Sequence, residues 1–574
     1  MCGFAGIISK NNLDKKESKK VIQNMTNQIV HRGPDSKGLY LGKRFNLGFR
    51  RLSILDISKK GDQPFTDINQ NYILAFNGEI YNFIELKKKY FKNFNFKSHT
   101  DTEVLFHLLI KYGMGILNEI EGMFSFIFYD KIKNKIYLSR DHFGMKPLFY
   151  VVLNKKIYFS SEVKSFKNIF KFEINNSKVF ENLLWGNIAG EDTLYRNVKQ
   201  VKPGFFYEIN ESLSIKKKRF FDLKKTFFDK GPNIKLIEKK LFSTIKKHLR
   251  SDVKIGLLLS GGLDSSILAM IIKKINRKKR IFTLSTSISN SQLDESKNQS
   301  IVQNLIKSSH NKINFTSYSI LKNIKKCIFY YEAPLHDPNI IAINDLCNLA
   351  KKKKIKVLLA GDGSDELFGG YKWSNIFNKK KSIYSNSMFD YNIIFEVFNI
   401  KKRNFVERNK LLKNNLQDHK FQRIYDQSFH LDKWLQRQDK IGMANSIEIR
   451  VPFCDISFVK TVNKFNQKKK ISNKQVSKYI LKRISKKYLP KNIIHQDKKG
   501  FTIPLDDYFR SKILKNFFKK IISSNVFKKR KIYRHQNIKK IFLEHINFKK
   551  NHGKILWSIL NLELWQKEFI DRKI

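Results

Sequence analysis

The chain has 574 residues, too many for one hydrophobic core, so two domains or three are expected. Its apolar share of 41% is that of an ordinary globular protein. No apolar run reaches the roughly 18 residues of a membrane span. Cys2, Cys327, Cys347 and Cys454 stand too far apart for a disulfide framework or a metal cluster.

The charge is unusual, with 112 basic residues against 50 acidic ones and a net +62. Such a balance can signal a nucleic-acid or anionic-membrane partner. Here the basic residues are mostly Lys, not Arg, the better reader of bases and phosphates. They are spread through IKKKRF, LAKKKKIK and FKKRKIYRH, with no zinc-finger, helix-turn-helix or RNP signature. The charge is therefore read as compositional. No specific nucleic acid and no membrane is expected as a partner, only weak low-salt attraction to polyanions. The N-terminus has no basic n-region, adequate h-region or cleavage site, so a reduced, cytoplasmic setting is expected.

In chain order the first feature is MCGFAGII. If the methionine is removed, Cys2 carries a thiol of pKa about 8.5 and an α-amine of pKa about 7.7–8.0 on one residue, a nucleophile with its own base. The plain alternative is a small hydrophobe opening a strand. HRGPDS (31–36), RRLSILD (50–56), FNGEIYN (76–82) and SHTDTEV (98–104) follow. YILAFNGEIYN reads as two β-rich runs around an Asn-Gly turn, a hairpin signal. A thiol attacking an amide needs oxyanion donors, which the Asn77 side chain and Gly78 N–H can supply. An amino-acid substrate needs a guanidinium and a carboxylate, and Arg51 and Asp101 are of the correct type. MFSFIFYD, KIYLSRD, PLFYVVL and KIYFSSE read as strands, and TEVLFHLLIKYG as a helix ending at Gly113. Residues 1–210 thus form a domain of packed sheets with few helices, and 211–233 read as a polar linker.

From 234 onward, strand and helix signals alternate: VKIGLLLS, DSSILAMIIKKI, IFTLSTS, ESKNQSIVQNLIKS, INDLCNLAKKKK and IKVLLAG. That pattern predicts a parallel, doubly wound sheet, and the last 150 residues look mainly helical. LLLSGGLDSS follows a buried strand and opens a helix. Gly261 and Gly262 let backbone N–H groups approach an anion, Ser260, Ser265 and Ser266 add hydroxyls, and Asp264 suits Mg²⁺. It is not the GxxxxGK[ST] loop. LLAGDGSDELFGGY brings Asp362, Asp365 and Glu366 to a second strand end, where Asp264 and Asp365 could share a metal ion; the plain alternative is solvated turn residues. QDKKGFTIP offers Lys498 and Lys499, which carry little weight in a chain so rich in lysine. The 372–430 stretch reads as helical.

With these residues assembled, the chain resembles the glutamine-hydrolysing asparagine synthetases of the bacterial class. MCGFAGI, HRGPD, RLSILD, FNGEIYN, SRDHFGMKPLFY, LSGGLDSS, GDGSDELFGGY, EIRVPFCD and KKGFTIP occur in the family's order over nearly the whole length. The resemblance implies an N-terminal αββα N-terminal-nucleophile glutaminase domain. An ATP-pyrophosphatase-type synthetase domain (234–574) would follow, reached by an internal ammonia channel. It implies Cys2 as nucleophile with its α-amine as base. Arg51, Leu52, Ser53, Ile54, Leu55, Asn77, Gly78, Glu79 and Asp101 would bind glutamine. Ser260, Gly261, Gly262, Asp264, Ser265 and Ser266 would hold pyrophosphate, and Asp264 and Asp365 would hold Mg²⁺. Leu258 and Leu284 would line the adenine site, with Ala360 and Gly361 bounding nucleotide and acceptor. Asp362 would serve the acyl-adenylate and Lys498 the α-phosphate. ATP, glutamine and aspartate are the implied substrates, with a sugar acid as alternative acceptor, and the resemblance leaves room for a homodimer. Two positions depart from the pattern: Ala360 replaces a frequent Ser, and Phe49 a frequent His.

Overall fold

A computed structural model describes residues 2–228, 233–278, 280–288, 291–371, 391–400, 423–465, 477–496 and 500–571. Lys498, Lys499 and much of the 372–430 stretch lie outside them. Of that stretch the structure describes a helix Tyr391–Val397 and a π-helical turn Asp426–His430.

Twelve strands of the first domain make two antiparallel sheets. In chain order they are β1 (Cys2–Ser9), β2 (Ser36–Leu41), β3 (Phe45–Arg51), β4 (Phe65–Thr66), β5 (Tyr72–Ile80) and β6 (Gly122–Asp130). There follow β7 (Lys135–Arg140), β8 (Phe149–Leu153), β9 (Lys156–Ser160), β10 (Lys199–Gln200), β11 (Phe205–Ile209) and β12 (Ile215–Arg219). The sheets run in the orders β10-β8-β9-β1-β3-β2 and β12-β11-β7-β6-β5-β4. Period-two alternation builds the layers. On β1, Cys2, Phe4 and Ile8 join Ile73, Ala75, Ile127 and Leu138 between the sheets. Ala5 and Ile7 pack outward on Ile22 and Met25 of the helix Lys15–Asn27. On β5 and β6, Leu74, Phe76, Phe126 and Phe128 meet Val104, Leu105 and Leu108 of the helix Asp101–Tyr112. The result is the helix–sheet–sheet–helix sandwich that the resemblance implies. Each large side chain buried in these layers contributes about 1.5–3 kcal/mol.

Two sequence readings differ from the structure. FNGEIYN contains no hairpin turn, because Asn77 and Gly78 lie inside β5, paired with Ser125 and Phe124 of β6. The Asn-Gly pair answers to a close approach instead: a Cβ on Gly78 would lie 2.2 Å from the carbonyl oxygen of Met123. The stretch expected to start the linker still belongs to the first domain, since β12 pairs with β11 along Ile215–Arg219.

The second domain carries a five-stranded parallel sheet of β13 (Ile255–Leu258), β14 (Phe282–Ser287), β15 (Ser309–Asn314), β16 (Val357–Leu359) and β17 (Glu448–Arg450). Its order β15-β14-β13-β16-β17 reverses between β13 and β16. That is the switch point of a doubly wound fold, where a cleft opens beyond the strand ends. From residue 456 to the C-terminus the described elements are helices, ending in Gly553–Phe569. Among the described residues no helix is long and apolar enough to cross a membrane.

Candidate active sites

The first site forms around the start of β1. Strand pairing sets Cys2 opposite Arg51 of β3, and the backbone N of Cys2 donates to Asn77 Oδ1 at 3.0 Å. Asn77 Nδ2 faces Ser125 Oγ at 3.4 Å. The Arg32 guanidinium donates from Nε to the Cys2 carbonyl at 3.0 Å, fixing the strand's first peptide. The thiol is buried, which raises its pKa, against the pull of the amino terminus and the Leu52 N–H. Leu52 and Ile54 are buried, and Ser53 N donates to Asp35 Oδ2 at 2.8 Å.

Arg51 gathers the loop that follows it. Its guanidinium donates to the Ser58 carbonyl (2.7 Å), Asp62 Oδ1 (2.9 Å), the Leu55 carbonyl (3.4 Å) and the Asp56 carbonyl. Asp101 opens its helix and accepts from Ile80 N at 2.7 Å. Burial pushes its carboxyl up to about 6. Glu79 is raised as well, again first by burial. The sequence-predicted glutamine residues therefore converge on one corner, where strands β1, β3 and β5 meet the Asp101 helix.

The second site lies at the switch point, in a cavity of about 650 Å³ whose described lining residues all belong to the second domain. Its walls include Leu258, Ser260, Gly262, Asp264, Ser265, Leu284, Ala360, Gly361, Asp362 and Asp365, all expected there from sequence. Gly262 caps the helix Leu263–Ile275, leaving that helix's first N–H groups aimed at the loop. Ser260 Oγ and Ser265 Oγ lie 3.0 Å apart, and Ser260 Oγ accepts from Gly262 N at 3.2 Å. Gly261 and Ser266 are set back from the walls, and Ser266 Oγ donates to the Gly262 carbonyl at 2.7 Å. Asp362 is held by Arg437 Nη2 and Gln438 Nε2, each at 2.5 Å.

Asp264 and Asp365 do converge, and the cation between them is Lys478. Its Nζ lies 2.5 Å from Asp264 Oδ2 and 2.8 Å from Asp365 Oδ1. Two carboxylates aimed at one cation suit Mg²⁺, which takes one or two protein carboxylates and completes its shell with phosphates and water. No group of three or more His, Cys, Asp or Glu poised for a metal exists among the described residues.

Several residues around these sites went unassigned in the sequence. Arg450, in the EIRVPFCD motif, joins the two centres. Its Nη2 lies 3.1 Å from Glu79 Oε2, its Nε donates to Glu448 at 2.5 Å, and its carbonyl accepts from Ala360 N at 2.9 Å. It is wholly buried, and it holds Glu448 down at about 2 although burial works the other way. A second buried network ties HRGPD to the helix Leu431–Ala444. Arg32 Nη1 pairs with Glu162 (2.9 Å) and Asp439 (3.0 Å), and Lys146 with Asp439 (3.1 Å). The HRGPD and GMKPL motifs flag Arg32 and Lys146, but their partner lies some 300–400 positions away.

Comparison with known proteins agrees with this division. Residues 1–221 match the glutamine amidotransferase domain family and residues 236–567 the asparagine synthase family. Across the whole chain it is 27% identical to asparagine synthetase [glutamine-hydrolyzing] 1 of Bacillus subtilis, covering 98% of that protein. It is 33% identical over 397 residues to putative asparagine synthetase [glutamine-hydrolyzing] 2 of Methanocaldococcus jannaschii, or 65% of this chain and 76% of the relative. It is 27% identical to asparagine synthetase B of Escherichia coli over 88% of this chain and 82% of that one. An amidotransferase sandwich fused to a doubly wound synthase sheet defines a glutamine-dependent ligase. The chain belongs to the asparagine synthase family.

Proposed function

We propose that the protein makes asparagine from aspartate, with glutamine as nitrogen donor and ATP cleaved to AMP and pyrophosphate. The observation that carries this reading is Arg450, which touches the glutamine corner through Glu79 and the nucleotide cleft through Ala360. A carboxylate is a poor acyl donor because its leaving group would be oxide. Transfer of AMP to the aspartate β-carboxylate makes a mixed anhydride with a good leaving group, and pyrophosphate departs. Ammonia attacks that acyl carbon, asparagine forms, and AMP leaves. Free ammonia in neutral water is mostly ammonium and not nucleophilic, which favours release from glutamine inside the protein and passage through a dry interior.

In this reading Cys2, exposed by methionine removal, attacks the glutamine amide, and its α-amine takes the thiol proton. Asn77 and Gly78 stabilise the oxyanion, each donor contributing roughly 10²–10³ in rate. Arg51, Leu52, Ser53, Ile54, Leu55, Glu79 and Asp101 seat glutamine. Residues 260–266 hold pyrophosphate against the helix start, Leu258 and Leu284 border adenine, and Ala360, Gly361 and Asp362 border the acyl-adenylate. Lys498, outside the described residues, is assigned to the α-phosphate by the family resemblance alone. Asp264 and Asp365 hold Mg²⁺, which when bound neutralises phosphate charge. The work would take place in the cytoplasm.

A second reading keeps the machinery and changes the acid. Ala360 lacks the hydroxyl of the frequent Ser at the acceptor side, so a sugar acid is the alternative acceptor. Pyrophosphate release by the purified protein, screened over aspartate and uronic acids with glutamine and MgATP present, tests both. Release with aspartate is expected; silence with aspartate and turnover with a uronic acid would transfer the assignment to the second reading.

A further inference from the structure

We propose that Lys478 neutralises Asp264 and Asp365 in the nucleotide-free enzyme, so that free divalent metal is kept out of the pair and enters only together with ATP. This rests on the reading of the two aspartates as the metal-holding pair.

The contact is built into the fold at three points. The ammonium spans both carboxylates at 2.5 and 2.8 Å, and the residue is 6% exposed. Gly370 makes the room: a Cβ there would stand 1.7 Å from Asp365 Oδ1 and 2.3 Å from Lys478 Cε. The Lys478 backbone sits in the left-handed region at φ 53° and ψ 33°, just before the helix Tyr479–Ser485. A non-glycine residue adopts that conformation at a cost and keeps it only when its surroundings hold it there. Asp264 is fixed from its other side, since its Oδ1 accepts from Ser364 Oγ at 2.7 Å.

The electrostatics then favour one order of events. Lys478 reduces the pair's charge from −2 to −1, and a dication placed beside the ammonium would be repelled by it. ATP changes the balance because its phosphates offer the ammonium a new partner. Lys478 and the phosphate loop line the same cavity, with Lys482 beside them. Once Lys478 turns to the phosphates, both aspartates are released to the metal. Metal and nucleotide affinities are thereby coupled, and by linkage the coupling is reciprocal.

Mn²⁺ binding to the full-length protein, followed by electron paramagnetic resonance, tests this without turnover. The wild type should show no tight stoichiometric site for free Mn²⁺, and one per chain once a non-hydrolysable ATP analogue is added. Lys478→Met should bind free Mn²⁺ without nucleotide about tenfold or more tightly than the wild type, and Lys478→Arg should restore the exclusion. A wild type that takes up one Mn²⁺ tightly without nucleotide would overturn the proposal, whatever the variants do. So would a folded Lys478→Met protein that gains no affinity while the wild type still binds Mn²⁺ with the analogue. Absence of a Mn²⁺ site even with the analogue would remove the metal role of the two aspartates, and this proposal with it.

Discussion

Replacing Cys2 with Ala should abolish glutamine-dependent product formation while leaving ammonia-dependent formation within about twofold. The loss should be at least about a thousandfold, as expected when the group that bonds to substrate is removed. The selectivity follows from placement. Cys2 lies on β1, against the inter-sheet core of the first domain, and no described residue of that domain lines the synthetase cavity. The substitution removes one buried sulfur and keeps the backbone N that donates to Asn77. Rates with glutamine and with ammonium chloride, compared in one preparation, check it; equal loss of both would mean that the two reactions share one centre.

Arg450→Met should be the most damaging interface change. The guanidinium pairs with Glu79 and Glu448 and donates to the His248 and Arg250 carbonyls at 2.7 and 2.6 Å. Its removal takes the shared counter-charge from two buried carboxyl groups, a defect that costs about 3–5 kcal/mol. The deficit should depend on pH. In the wild type the Glu448 pKa is depressed to about 2, below its unfolded value. Its contribution is therefore fully present above the unfolded pKa of about 4.3 and is lost only as pH falls through about 2. Without Arg450 the carboxyl loses its strongest counter-charge and burial raises its pKa above the unfolded value, so the variant weakens as pH climbs past about 4.3. The difference in Tm between wild type and variant should be larger at pH 8 than at pH 5. A difference equal at both values would show that lost packing, not charge, sets the defect.

Most of the candidate residues that the motifs single out come together in the structure, because a strand followed by SGGLDSS or GDGSDE admits few local structures. Strand β13, the helix Leu263–Ile275 and strand β16 lie where their apolar runs put them. FNGEIYN shows how local chemistry misleads. Asn-Gly favours a turn, but pairing with β6 and the approach of Met123 keep the segment extended. Arg32 with Asp439, and Arg450 with Glu79, were illegible for another reason. Each pairing spans more than 350 positions, and no periodicity within a window reports it. Lys478 was hidden by composition, since one lysine in a chain with 112 basic residues carries no signal until its two carboxylates are seen beside it.

The central claim is that nitrogen freed at Cys2 reaches the activated acid without leaving the protein. Glutamine labelled with ¹⁵N at its side-chain amide, supplied with aspartate, MgATP and unlabelled ammonium at a level too low for the Cys2→Ala protein to use but far above the labelled ammonia released, tests it by mass spectrometry of the product. Internal transfer predicts asparagine carrying the label at nearly the enrichment of the glutamine. Label diluted to the isotopic composition of the bulk ammonium would contradict it.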